Sequence, residues 1–199
     1  MELTKGEKTK LFIIEQVAPV FNKQGYIGTS LTDITKATGL TKGAIYHNFD
    51  NKENLAIEAF NYNIRKAIGS VAQLINAEES VKGKFKALTQ YYRDYYINTL
   101  DYGGCPILNV GIDSNNINQR LKSRVNQVIR KLQNSFIEII QLGITQKEVK
   151  KDIKANQAAL KIISIIEGAI YTATMLEDND HISAMMDLLD EFIEREILV

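Results

Sequence analysis

Residues 30–49 read Ser-Leu-Thr-Asp-Ile-Thr-Lys-Ala-Thr-Gly-Leu-Thr-Lys-Gly-Ala-Ile-Tyr-His-Asn-Phe, and this stretch predicts two short helices joined by a tight turn. Apolar residues recur every third position over residues 31–37, which is the spacing of one helix face. Gly39 can adopt the left-handed conformation that ends a helix, and Thr41 can cap the helix that follows. Two helices about a glycine turn form a helix-turn-helix, whose second helix fits the major groove of DNA.

The flanks of this stretch predict where the neighbouring helices begin. Two capping-box patterns, each a cap residue with an acidic residue three positions later, are Ser30 with Asp33 and Asp50 with Glu53. An amphipathic helix is predicted over residues 10–23, with Gly25-Tyr26 ending it. Pro19 should kink this helix or loosen its last turn. Residues 5–56 are therefore predicted to form a compact helical bundle.

Charge is distributed unevenly along this chain of 199 residues, although its formal net charge is zero. Residues 1–56 hold seven lysines against six acidic residues, whereas residues 177–199 hold eight acidic residues against one arginine. Any affinity for DNA must therefore come from the placement of a few lysines and main-chain amides, because bulk charge does not supply it.

The rest of the chain is predicted to be helical as well. Expected helices cover residues 51–76, 81–100, a short segment reaching 112, 117–142, 155–177 and 181–198, with a lysine-rich connection over 143–154. With two prolines and hardly any alternating β pattern, the fold class is predicted to be all-α. We expect two domains: a helix-turn-helix bundle over residues 1–50 and a larger helical domain over residues 51–199.

A family resemblance emerges from these same residues. The chain resembles the TetR (tetracycline-repressor-like) family of bacterial regulators in residues 25–31, in Ile34, in residues 37–49 and in residues 52–55. Glycine, cap, aromatic and lysine positions agree at fixed offsets over the first quarter of the chain. The resemblance implies a DNA-binding N-terminal domain followed by a ligand-binding and dimerisation domain.

The recognition helix and its neighbours supply the candidate DNA contacts. Lysine can reach a guanine edge or a phosphate, glycine lets the backbone approach DNA, and hydroxyl or imidazole groups can donate to phosphates. The first turn of a helix also attracts phosphate. The residues that match the family's DNA-contacting positions are Thr29, Ser30, Thr41, Lys42, Gly43, Tyr46, His47 and Lys52.

The last two predicted helices carry more apolar surface than one core contact requires. A helix that is apolar on two sides must be buried on two sides, either in a deep monomer core or in a dimer. We favour a symmetric four-helix interface between two copies of the chain, which the resemblance also implies. Its predicted residues are Ile163, Ile166, Ile170, Ala173, Met185, Leu189 and Phe192.

A ligand pocket is predicted among the middle helices, because dense tyrosines can offer hydroxyl anchors in an apolar site. The candidate lining residues are Tyr62, Tyr92, Tyr96, Cys105 and Phe136, and core packing of the tyrosines is the alternative. The segment Gly-Cys-Pro-Ile-Leu-Asn around Cys105 resembles one branch of the family in which some members sense electrophiles or oxidants through a cysteine. A buried, inert Cys105 is the competing interpretation.

These observations predict a cytoplasmic, homodimeric regulator that binds a palindromic DNA operator and is released by a small-molecule effector. The alternatives are a thiol sensor of the same fold acting through Cys105 and, more remotely, a helical interaction protein without DNA binding. We expect no enzyme activity, because the sequence shows no nucleophile–base motif or phosphate loop. We also expect no metal, cofactor or membrane partner, and a single cysteine fits a reducing compartment.

Overall fold

A computed structural model of the chain describes residues 3–95 and 103–199, and its regular elements in those ranges are helices. The all-α prediction is therefore confirmed for this part of the chain. The helices are α1 Lys5–Gly28, α2 Leu31–Thr38, α3 Lys42–Asn48, α4 Lys52–Ala77, α5 Val81–Arg93, α6 Pro106–Ser114, α7 Gln119–Gln146, α8 Ala155–Leu176 and α9 Asn179–Phe192. A π-helical turn, Ile193–Ile197, follows α9, and a single β-bridge joins Val149 to Leu198.

Helix α1 starts earlier than predicted, and it breaks at Gly25, where the sequence predicts that it ends. Thr4 caps it in a reciprocal capping box with Glu7. The non-helical residue inside α1 is Gly25, with φ 73°, and not Pro19, for which the sequence predicts a kink or a looser last turn. Proline at position 19 frees the carbonyl of Glu15 from its helical partner. Because Glu15 is exposed, water can satisfy that carbonyl without a bend in the helix.

The helix-turn-helix is confirmed in its details. Ser30 and Asp33 form the predicted capping box at the start of α2, and Gly39 ends that helix with φ 68° in the left-handed region. The Oγ1 atom of Thr41 then accepts from the amide of Ala44 at 3.3 Å and caps α3.

Helix α4 is one continuous element, as predicted, but its cap differs from the predicted one. The Oδ1 atom of Asn51 accepts from the amide of Asn54 at 2.8 Å, so Asn51 is the cap and not Asp50. The carboxylate of Asp50 instead accepts from the side-chain amide of Asn54. Glu53, the predicted partner of Asp50, forms an ion pair with Arg120.

The described residues pack into two compact units, to which α4 and α7 both contribute. The first unit contains residues 3–67 and 103–126, and the second contains residues 68–95 and 127–199. In the first unit α1 packs against α2, α3 and α6, around a core that includes Ile13, Val17, Ile34, Ile45, Leu55 and Phe60. The predicted division at residue 50 concerns function and stays a prediction.

In the second unit α9 packs against α5 and α8. Arg93 at the end of α5 holds this packing with a fork of two ion pairs, to Asp187 at 2.7 Å and to Asp190 at 2.6 Å. The same guanidinium donates to the carbonyl of Ser183 at 3.0 Å. Fully buried side chains of this core include Phe85, Leu88, Ile140, Ile162, Ile182, Met186 and Leu189.

The connection between α7 and α8 is more structured than the predicted lysine-rich link. Helix α7 continues to Gln146, and Lys147 then turns the chain with φ 63°. The carboxylate of Glu148 accepts from the amides of Val81 at 2.7 Å and Lys82 at 3.3 Å, which caps α5 from a distant part of the sequence. Helix α9 also differs from its predicted bounds, because Asp178 caps it early and the π-helical turn ends it.

Candidate nucleic-acid interface and apolar groove

The exposed face of α3 belongs to a helix whose other face is anchored in the first unit. Ile45 is fully buried, and Phe49 directly after the helix is nearly so. Lys42, Gly43 and His47 are exposed, and Tyr46 is half-buried. Positions three and four apart are neighbours on a helix surface, so these four residues form one continuous surface.

Gly43 has no packing reason to be glycine. A Cβ atom built there would meet no atom closer than Oγ1 of Thr41, at 4.0 Å. Its φ does not lie in the left-handed region either, since the positive-φ glycines of the described chain are Gly25, Gly39, Gly103 and Gly104. The absence of a side chain at position 43 therefore leaves α3 backbone open to an external partner.

Two residues predicted to contact DNA use their hydroxyl groups in hydrogen bonds within the chain. Thr29 is fully buried, and its hydroxyl donates to the carbonyl of Gly25 at 2.6 Å, so we do not carry it into the proposed contact set. Ser30 is exposed, but its hydroxyl donates to the carboxylate of Asp33 at 2.6 Å. The hydroxyl and the backbone amide of Ser30 donate to the Asp33 carboxylate and lower its pKa.

Lys52 is placed by an aromatic ring. Its Nζ atom lies 4.6 Å from the centroid of the Tyr26 ring, a cation–π contact between the first turn of α4 and the last turn of α1. Burial lowers the pKa of Lys52, while the nearby carboxylates of Asp113 and Asp33 act in the opposite direction. Lys52 as a whole residue is half-buried, so it keeps some exposure to solvent.

The charge balance of the N-terminal segment changes once its contacts are known. Glu7 and Asp33 are used in capping boxes, and Glu53 is paired with Arg120. Of the six acidic residues in this segment, Glu53 has its charge balanced by an ion pair, whereas Glu7 and Asp33 keep their charge within the caps. Counting that pair as neutral leaves seven lysines against five acidic residues, so the placement of Lys42 on the exposed face of α3 matters more than bulk charge.

Hydrogen bonds that no local sequence pattern predicts join α6 to α1. The carboxylate of Asp113 accepts from the amides of Tyr26 at 2.5 Å and Ile27 at 3.2 Å, directly after the break at Gly25. We call this contact the Asp113 clasp. It serves as a long-range cap for the last turn of α1, which leads directly into α2.

The start of α6 is held in the same way. Asn109 donates to the carbonyls of Asn22 at 3.0 Å and Gly103 at 2.5 Å, and Asn22 donates to the carbonyl of Gly104 at 3.0 Å. Cys105 precedes Pro106 as the cap residue of α6, and it is buried. A buried thiol has limited access for electrophiles.

An apolar groove of about 360 Å³ lies within the second unit, between α4, α5 and α7. Tyr92 and Phe136, two of the five predicted pocket residues, line it. Tyr62 and Cys105 belong to the first unit and are not part of its lining, and Tyr96 lies outside the described residues. The groove is lined by Ile68, Val71, Ala72, Ile75, Asn76, Lys84, Leu88, Tyr92, Leu132, Ser135, Phe136, Glu138, Ile139 and Leu142.

The predicted dimer residues divide into two groups. Ile163, Met185 and Phe192 are half-buried. The other four, Ile166, Ile170, Ala173 and Leu189, are buried within the protomer and offer no surface to a partner. The exposed large apolar residues of α8 and α9, which the prediction did not include, are Leu160, Tyr171, Met175, Leu176 and Leu188. We refer to these five residues as the outer stripe.

Two further features bear on the class of protein. Within the described residues, His, Cys, Asp and Glu side chains form no cluster of three or more that could hold a metal ion. Helix α8 is long and apolar enough to cross a membrane by composition. Buried core helices pass the same test, and α8 buries Ala158, Ile162 and Ile166 against its own unit.

Comparison with known proteins gives matches over most of the chain. A family model described as bacterial regulatory proteins, tetR family, matches residues 13–59. A second model, described as tetracyclin repressor-like, C-terminal domain, matches residues 82–189. The first covers the helix-turn-helix, and the second covers most of the remaining helices.

Solved structures and curated proteins agree with these models. A TetR-family transcriptional regulator from Cytophaga hutchinsonii is 35% identical, with a TM-score of 0.94 over 100% of this chain and 99% of that one. A TetR transcriptional regulator from Chloroflexus aurantiacus is 34% identical, with a TM-score of 0.93 over 99% and 100% of the two chains. An uncharacterized HTH-type transcriptional regulator from Lactococcus lactis is 24% identical over 98% of both sequences.

Proposed function

This chain belongs to the TetR family of bacterial regulatory proteins, and from that premise we propose that it is a ligand-responsive repressor. It is a DNA-binding transcription regulator with a helix-turn-helix, and proteins of this family are regulators and not enzymes. Repressors and homodimers are typical of the family. We further propose a cytoplasmic location, where the DNA of a bacterium is found.

The observation that carries the proposal is the exposed face of α3. It presents Lys42, Gly43 and His47 to solvent beside the half-buried Tyr46, while Ile45 anchors the opposite face in the core. A rigid helix with one cation, two further donors and an open backbone suits entry into a major groove. Intramolecular packing gives no reason for glycine at position 43.

The proposed DNA contacts divide by chemistry. Lys42 reaches a base edge or a phosphate, and Tyr46 and His47 donate to the phosphate backbone. The hydroxyl oxygen of Thr41 accepts the hydrogen bond that caps α3, and its O–H can donate to a phosphate. Lys52, braced on Tyr26, reaches the backbone from α4. Ser30 stays near DNA mainly as the cap of α2.

We propose that two copies of the chain associate through the outer stripe. Leu160, Tyr171 and Met175 lie at spacings of eleven and four residues along α8, which places them on one side of that helix. Leu188 adds to the surface from α9. A dimer built this way requires an operator with two half-sites whose centres are about one DNA turn, or a multiple, apart.

The groove of the second unit is the proposed effector site. Its volume of about 360 Å³ falls in the range of small-molecule sites, and its walls are mainly apolar. An effector that prefers the conformation unable to bind the operator shifts the population toward that conformation. The ratio of the effector's affinities for the two conformations then limits how far it can release the protein from the operator.

Selection of DNA duplexes from a random library by the full-length protein tests this proposal. We expect enrichment of one sequence with two inverted half-sites, and a salt dependence that shows contacts with several phosphates. If the folded protein enriches no sequence at any salt concentration, the chain is not a sequence-specific regulator. The helical interaction protein would then be the better reading.

A further inference from the structure

The groove between α4, α5 and α7 has one charged end, and this feature narrows the chemistry of its ligand. Lys84, Leu88 and Tyr92 follow each other at intervals of four residues on α5 and all line the groove, so they mark a track along one helix face. At a rise of about 1.5 Å per residue this track is about 12 Å long. It suits an extended molecule better than a compact one.

The charged end is where α4 ends and α5 begins. The Nζ atom of Lys84 donates to the carbonyls of Ile75 at 3.1 Å and Glu78 at 2.5 Å. An ammonium group has three donors, so these two bonds fix its position and leave the third N–H for a ligand. Lys84 is half-buried, and water screens its charge less than that of a fully exposed lysine.

The remainder of the track is apolar. Leu88, midway along the track, and Phe136 of the lining are buried, and Tyr92 lies at the end of the track away from Lys84. The acidic side chain of the lining, Glu138, is exposed on α7, where solvent weakens its repulsion of an anion. The fixed positive charge thus lies at one end of an apolar channel.

We infer that the groove binds an amphipathic carboxylate, with its carboxylate on Lys84 and its unbranched apolar chain along Leu88 toward Tyr92. This ligand class rests on the proposed effector role of the groove. A carboxylate oxygen accepts the remaining N–H of Lys84 in a charge-assisted hydrogen bond, and the alkyl chain gains by leaving water. A neutral alcohol of the same length gains only the burial of its alkyl chain and lacks the charge-assisted hydrogen bond.

The test measures binding of decanoate and decanol to the full-length protein by titration calorimetry, below the concentrations at which decanoate forms micelles. Wild-type protein should bind decanoate more tightly than decanol. Lys84→Met should weaken decanoate binding by about ten- to hundredfold and leave decanol binding unchanged. Lys86→Met removes the same charge from an exposed position of α5 outside the groove and should change neither affinity.

Three outcomes would overturn the inference. Wild-type protein could bind decanol as tightly as decanoate, or bind neither molecule. Alternatively, Lys84→Met could weaken both ligands in parallel, which would show that Lys84 only holds the turn between α4 and α5. Lys84→Arg keeps the positive charge, and its melting temperature without ligand shows whether the turn between α4 and α5 is intact. This variant therefore separates disruption of the turn from removal of the charge.

Operator binding is measured on the same samples, so that the two proposals can fail separately. If decanoate binds through Lys84 but does not release the selected operator, the ligand class stands and the effector role of the groove fails. If the protein binds its operator but not decanoate, the regulator stands and the ligand class fails.

Discussion

The Asp113 clasp should stabilise the last turn of α1, which leads into α2, and Asp113→Ala measures by how much. The break at Gly25 leaves the amides of Tyr26 and Ile27 without helical acceptors, and the Asp113 carboxylate accepts from both. Hydrogen bonds to a charged group are each worth about 1.5–3 kcal/mol. Since Ile27 is exposed and water replaces its bond readily, we expect a total loss of about 2 kcal/mol.

Urea denaturation followed by far-ultraviolet circular dichroism tests this value, with both proteins at one concentration because the stability of the proposed dimer depends on it. A loss of about 2 kcal/mol in a chain of this size lowers the melting temperature by about 4–8 °C. Asp113→Asn keeps an acceptor oxygen and should lose about half as much.

The matched control is Glu15→Ala, which removes an exposed carboxylate from α1 itself. Its urea midpoint should equal that of the wild type. If Asp113→Ala unfolds at the same midpoint as Glu15→Ala, the clasp contributes nothing to stability. The hydrogen-bond reasoning about the end of α1 would then be refuted.

Three further changes test other parts of the account. Met175 is 60% exposed in the outer stripe, and Met175→Glu places a charge there. Sedimentation should show that the dimer is weakened at least about tenfold. The control Ile112→Glu, at an exposed apolar residue of α6, should leave the dimer as strong as in the wild type. Gly43→Ala should melt no lower than the wild type, because alanine favours a helix by up to about 1 kcal/mol, yet bind the operator more weakly in a mobility-shift assay. Cys105→Ser should still release the operator when effector is added, and a variant locked on DNA would favour covalent sensing.

Local signals in the sequence were sufficient to predict the helix-turn-helix. The capping box of Ser30 with Asp33, the turn at Gly39 and the cap at Thr41 each depend on residues within four positions of one another. The energies of these caps and of this turn hardly depend on the rest of the fold, so the local sequence is enough to predict them. The miss at the start of α4, where Asn51 caps in place of Asp50, is a choice between two adjacent good caps.

Contacts between distant residues could not be predicted in the same way. The Asp113 clasp joins positions 87 residues apart, and the Glu148 carboxylate caps α5 across 67 residues. Nothing near either carboxylate indicates its partner. For the same reason Thr29 looked available for DNA in the sequence, while packing buries it.

The dimer residues show a third limit of sequence reasoning. Helix α8 is apolar on more than one side, and its sequence does not say which side packs against its own protomer. The predicted interface residues Ile166 and Ile170 are buried within the protomer, whereas Tyr171 and Met175 are exposed. Only the tertiary packing with α9 decides between these faces.

The operator affinity of Lys42→Ala shows whether the exposed face of α3 reads DNA. The variant and the wild type are titrated with the selected duplex over a range of salt concentrations, with Lys151→Ala, an exposed lysine of the second unit, as control. We predict a loss of about ten- to hundredfold for Lys42→Ala, a salt slope flatter by about one if the contact is a phosphate, and no loss for the control. Wild-type affinity in Lys42→Ala would contradict the account.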